Sequence, residues 1–263
     1  MILLRLVGIE LWREIRLARS YLVDSVADQV LYTLGFLLLS GIFQLVAQGD
    51  YRASAQLDLL VGYLTWRVAD STLLSLSRLA TTDAQWGTSE QLWLISLSPH
   101  LFLLGRTLAI FVYQTCRVLL IAIVVILLLR LLPIVTPASI LVFLLAQSAI
   151  FGVGFMLVGL QLLYKNVSAI TLGLSTALLF LTGALAPLDQ SSLLYTLARF
   201  LPLTTGISLL RESVVEGASL STIVMRPAFL WLVAVAAAYG LIGLAILDRM
   251  QRAARQQGLL SHY

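Results

Sequence analysis

Arg67 and Asp70 stand three residues apart in an otherwise apolar stretch, so a helix there places a guanidinium and a carboxylate on one face. A charge inside a bilayer is expensive, and it marks either a transport path or a bridge between structural elements. Both readings stay open for this pair. Arg117 is a third charge in an apolar run, placed to approach Asp70 or to face a polar cavity. Tyr63, Trp66 and Tyr113 are aromatic candidates for lining the same path, or for packing and interface anchoring. Asp24 and Asp28 open another apolar run, where pairing with Arg19 or the polar N-terminal stretch is expected. No enzyme signature accompanies these charges. The only lysine, Lys165, precedes Asn166, so no phosphate-cradling G-x-x-x-x-G-K-[ST] loop exists. His100 and His262 lack a second histidine at metal-ligand spacing, and no metal site is expected. Cys116 is alone, which excludes an internal disulfide, and reads as a small buried apolar side chain.

The elements that position these residues follow from composition. Of 263 residues 60% are hydrophobic and 11% charged, with mean hydropathy +0.96. A soluble domain is about a quarter charged, so lipid must be the solvent for much of this chain. About 20 apolar residues make one helical span. Gln29–Gly49, Leu131–Tyr164, Asn166–Leu188 and Pro227–Leu247 reach that length without a charge.

The fold class read from this pattern is an all-α integral membrane protein with six transmembrane helices. Spans are expected over 21–47, 57–80, 101–129, 138–163, 169–186 and 227–247. Residues 1–20 read as an amphipathic interface helix: Leu4, Val7, Leu11, Ile15 and Ala18 form one stripe, with Arg5, Trp12, Arg16 and Arg19 on the opposite side. Nothing in the first residues resembles a secretory leader. Residues 187–226 are too polar for a simple span and too apolar for a solvated loop. They read as two short outer re-entrant helices, Leu193–Phe200 and Ile207–Glu216, broken at Pro202 and closed at Gly217. Basic residues divide ten to five between the two sides. The excess around Arg5–Arg19 and Arg249–Arg255 places both termini in the cytoplasm of a multi-pass protein. The modest net charge of +4 reports topology and gives no sign of nucleic acid as a partner.

The segment 84–99 is the most informative polar stretch. Thr88 is a good N-cap and Gln91 stands three residues on, a capping box. A short cytoplasmic helix is expected from Ser89 to the Ser98-Pro99 stop. It presents Glu90, Leu92 and Trp93, either to a groove on a cytosolic partner or as a simple redirection of the chain.

Gly87-Thr88-Ser89-Glu90-Gln91-Leu92 with Leu97-Ser98-Pro99 resembles the G-T-x-E-Q-L…S-P segment of ABC-2 type exporter permeases, the transmembrane subunits of ATP-binding-cassette exporters. Phe180 to Leu188, with Gly183 and Pro187, resembles the F-x-S/T-G-x-x-x-P-L signature ending their fifth span. Pro202-Leu203-Thr204 with Leu210-Arg211 looks like their outer P-L-T…L-R. The resemblance covers nearly the whole chain, 1–263, as one permease domain. It implies export of an amphipathic substrate (drug, lipid or lipid-linked glycan), with polysaccharide or O-antigen-type export as a narrower alternative. It implies no enzyme activity in this chain and no cofactor of its own, since ATP and Mg would be bound by a partner. The implied partners are a cytosolic ATPase subunit dimer, a second permease chain and membrane lipids, in the bacterial inner membrane. Gly87, Thr88, Glu90, Gln91, Leu92 and Trp93 would couple to the ATPase; Gly183, Pro187, Pro202 and Arg211 would form the outer gate. The segment Thr204-Thr205-Gly206-Ile207 departs from the family's more aromatic or acidic pattern at that gate. Two other classes compete: a membrane-embedded lipid-processing enzyme and an ion-coupled secondary transporter. The first wants clustered catalytic groups and the second an inverted repeat, and neither is visible.

Overall fold

A computed structural model describes residues 2–46, 53–85, 99–164, 167–189 and 191–256, and among these it contains helices and no strand. Ten helices follow in order: α1 Ile2–Ser20, α2 Leu22–Val46, α3 Ala53–Gln85, α4 Pro99–Leu129, α5 Pro137–Leu163, α6 Ser168–Leu181, α7 Leu193–Ala198, α8 Thr204–Val214, α9 Leu220–Val224 and α10 Pro227–Gln256. Four are long and apolar enough to cross a membrane: α2, α4, α5 and α10. Large apolar side chains on their outer faces, such as Leu31, Leu38, Leu127, Leu128, Leu230 and Leu241, remain exposed. That distribution suits a multi-pass membrane protein, in which lipid covers what water could not.

α5 is the hub. Small residues line the faces it buries, and they let neighbouring backbones approach closely. A Cβ on Gly152 would strike the Tyr239 carbonyl of α10, and one on Gly243 would strike Gly152 itself. Gly206 meets Ala146, and Gly154 meets Leu76, in the same close manner. α3 lies at the centre of the remaining helices, touching α2, α4, α5, α6 and α8. Amide and hydroxyl side chains tie these helices together: Gln147 donates to the Thr65 carbonyl at 2.9 Å and Gln114 to Ser75 at 2.8 Å. The α4–α5 turn is fixed locally. Arg130 takes φ 52°, and Thr136 and Ser139 form a reciprocal capping box with Pro137 in the first turn.

Two sequence expectations are corrected. The helix expected over 169–186 ends at Leu181. Hydropathy runs on through Ala186, but Gly183 adopts φ 74° and the backbone turns there. Between 187 and 226 there are three short helices where two were expected. Ser192 caps α7 by accepting from the Tyr195 N–H, and Ser219 caps α9 by accepting from Thr222. α8 ends at Val214, two residues short of the expected Glu216, and Gly217 follows at φ 71°.

α1 also packs differently from its apolar stripe. Leu3, Leu6 and Glu10 face α4, where Leu6 covers Gly105 and Glu10 lies 3.7 Å from Arg106. Leu4 and Ile15 of the stripe point away from the protein.

Candidate functional site: a charged cluster among the helices

Asp70 and Arg67 sit on the inward face of α3, 3% and 4% exposed. Arg67 Nη1 donates to Asp70 Oδ2 at 2.8 Å, and its Nη2 donates to Asp28 Oδ2 of α2 at 2.9 Å. Arg117 of α4 reaches the same Asp28 oxygen at 2.9 Å and the Ser25 carbonyl at 3.1 Å. Asp70 accepts a second bond from Ser175 of α6 at 2.5 Å, and a longer one from the Tyr32 hydroxyl at 3.4 Å. The Arg67 guanidinium lies 3.3 Å from the centre of the Tyr32 ring, a cation–π contact. Two arginines and two aspartates thus form a neutral cluster joining α2, α3, α4 and α6.

Neutrality and hydrogen bonding are what permit such charges among apolar helices. The cluster is asymmetric. The Arg67 and Asp70 side chains are 5% and 4% exposed, whereas Arg117 and Asp28 are 19% and 36% exposed. One half is sealed, with only the Arg67 Nε left without a hydrogen-bond partner; the other presents a guanidinium–carboxylate edge. The arrangement can fix the mutual rotation of four helices and offer a polar edge to a passing headgroup.

The structure brings Tyr63, Trp66 and Tyr113 to the margin of this cluster. Tyr63 donates to the Tyr32 carbonyl at 2.9 Å, and Trp66 Nε1 donates to the Ser175 carbonyl at 2.9 Å. The Tyr113 ring centre is 5.8 Å from the Arg117 guanidinium. Arg117, left open between Asp70 and a cavity, pairs with Asp28 instead. The expected pairing of Asp28 with Arg19 or the N-terminal stretch is corrected likewise: its partners are Arg67 and Arg117. Sequence reading missed as members Asp28, Tyr32, Ser175 and Gln29, whose Nε2 donates to the Arg117 carbonyl at 2.8 Å. Asp28 and Tyr32 are four apart, one face of α2, and that spacing was the available signal. Nothing in the sequence marks Ser175.

The residues expected at an outer gate separate into a keystone and its surroundings. Arg211 of α8 is 8% exposed. It donates to the Gly183 carbonyl at 2.8 Å and to the Asp58 carbonyl at 3.0 Å, tying the turn after α6 to the start of α3. Gly62 is required beside it, because a Cβ there would meet the Ala184 carbonyl and the Arg211 guanidinium. Pro187 and Gly183 line a cavity of about 250 Å³ with Asp58, Glu212 and Glu216. Pro202 is buried in the turn between α7 and α8. Burial raises the Glu212 carboxyl above its ordinary range, Arg226 opposing and Glu216 reinforcing the shift. The exposed Asp189 is lowered by the Ser191 N–H and then by its hydroxyl. An apolar groove of about 500 Å³ runs between α3, α4 and α5, past Val68, Phe111 and Cys116, and Cys116, expected to be buried, is exposed on the outer side of α4.

Gly87, Thr88, Glu90, Gln91, Leu92 and Trp93 lie outside the described residues. Among the described residues no group of three or more His, Cys, Asp or Glu side chains could hold a metal ion. No known family model matches the chain, and no curated protein matches it.

Proposed function

We propose that the chain is the six-span permease subunit of an ATP-binding-cassette exporter, moving an amphipathic substrate with energy from a separate ATPase subunit. The observation that carries this reading is the seat of α1. Through Leu6 against Gly105 and Glu10 near Arg106, α1 grips the first turns of α4. α4 leads directly out of the segment bearing Gly87–Trp93. A cytosolic push on that segment would therefore reach α4 and α1 together, and α4 carries Arg117 into the charged cluster. In this reading α3 and α6 are the two further spans. α3 tolerates its charges because other helices shield it, and α6 is completed by the turn through Ala186. The Asp28–Arg117 edge is the polar contact offered to the substrate.

The test is co-purification of the full chain with an ATP-binding-cassette subunit. Glu90→Ala with Leu92→Ala should abolish association and ATPase stimulation while leaving the permease in the membrane. Unchanged assembly and stimulation would sink the coupling assignment.

A further inference from the structure

α1 carries three distinct faces, and only one is used by the protein. Leu3, Leu6 and Glu10 pack on α4. The opposite side divides into two adjoining bands. Leu4 (76% exposed) and Ile15 (40%) continue through Leu11 as an apolar band. Arg5, Arg16 and Arg19 form a basic band beside it, which also carries Trp12 (56% exposed). None of these three arginines has an ion-pair partner among the described residues. Arg16 instead stacks 3.7 Å from the centre of the Trp12 ring.

The seat of α1 on α4 also bears on its depth in the membrane reading. α4 has 31 residues, about 46 Å of helix at 1.5 Å per residue. That exceeds a hydrocarbon core of about 30 Å, and since the last turns of α4 carry no charge while Arg106 near its start faces Glu10 of α1, the membrane reading puts its first turns in the polar layer. α1 then runs into α2, a helix long enough to span, with the Ser25 N–H bonded to the Tyr21 carbonyl across the junction. A helix in that layer with an apolar band and an adjacent basic band that includes a tryptophan complements a leaflet rich in negative headgroups.

We propose that this outward face of α1 binds anionic phospholipid: Leu4, Leu11 and Ile15 enter the acyl layer, and Arg5, Arg16 and Arg19 engage headgroup phosphates. The inference rests on the membrane reading alone and needs no ATPase subunit, so its failure and that of the exporter reading are separable.

The experiment is native mass spectrometry of the full-length protein, purified from mixed phosphatidylglycerol and phosphatidylcholine without nucleotide. The unsubstituted chain should retain phosphatidylglycerol preferentially. At about fivefold per arginine, Arg5→Gln with Arg16→Gln and Arg19→Gln should reduce that preference roughly a hundredfold. The corresponding triple lysine variant should keep most of it, which separates charge recognition from misfolding. Equal retention of the two lipids by the unsubstituted chain, or undiminished phosphatidylglycerol on the glutamine variant, would overturn the proposal. So would loss of ATPase-subunit binding by the glutamine variant with its lipid preference intact, which would assign the basic band to a protein partner.

Discussion

At the scale of single residues, the charged cluster behaves as two unequal halves. Removing one partner of a buried pair leaves the other charge uncompensated, at a cost of about 3–5 kcal/mol. Asp70→Asn should therefore destabilise the purified protein by about 3 kcal/mol, measured by denaturant unfolding in mixed micelles. Arg67→Leu with Asp70→Leu should cost clearly less than the sum of the two single changes, because the pair leaves together. Asp28→Asn acts on the open half, where solvent and lipid headgroups can compensate, and should cost less stability than Asp70→Asn. If Asp28→Asn proved the more damaging to folding, the division into sealed and open halves would be wrong. The Arg67–Asp70 contact was legible from its i,i+3 spacing. The Asp28 contacts, 39 and 89 residues away in sequence, were not, since no local pattern encodes which helices become neighbours.

At the scale of elements, close backbone approach governs the packing. Gly152→Val would drive α5 and α10 apart and should lower Tm well beyond the effect of Gly240→Ala, a glycine with no atom near its Cβ position. Comparable melting of the two variants would contradict the crossing described. Thr136→Ala should remove the α5 capping box at about 1 kcal/mol, read in the same unfolding assay. The long helices were legible because uninterrupted hydropathy and length are local properties. The end of α6 was not, because Gly183 sits within an apolar run whose composition gives no stop before Pro187. α9 was missed for a related reason: Ser219 is a good cap, but the Leu-Ser-Thr-Ile-Val that follows has weak helix propensity.

At the scale of the whole molecule, the reading requires α3 and α6 to cross the membrane although neither meets the length and hydropathy of a free-standing span. In a Cys116→Ser background, Gln48→Cys and Ala218→Cys should react with an impermeant maleimide from outside intact cells, and Lys165→Cys should not. Position 165 labelling like position 218 would mean that α6 does not cross. The central claim is that the segment after α3 receives force from an ATP-driven partner. It is tested most directly by Glu90→Cys in the same Cys116→Ser background, crosslinked in membranes to the co-purifying ATPase subunit with and without ATP and vanadate. The account predicts a specific crosslink whose yield changes when nucleotide is trapped. A residue at position 90 that forms no crosslink, in a complex that still assembles and hydrolyses ATP, would contradict it.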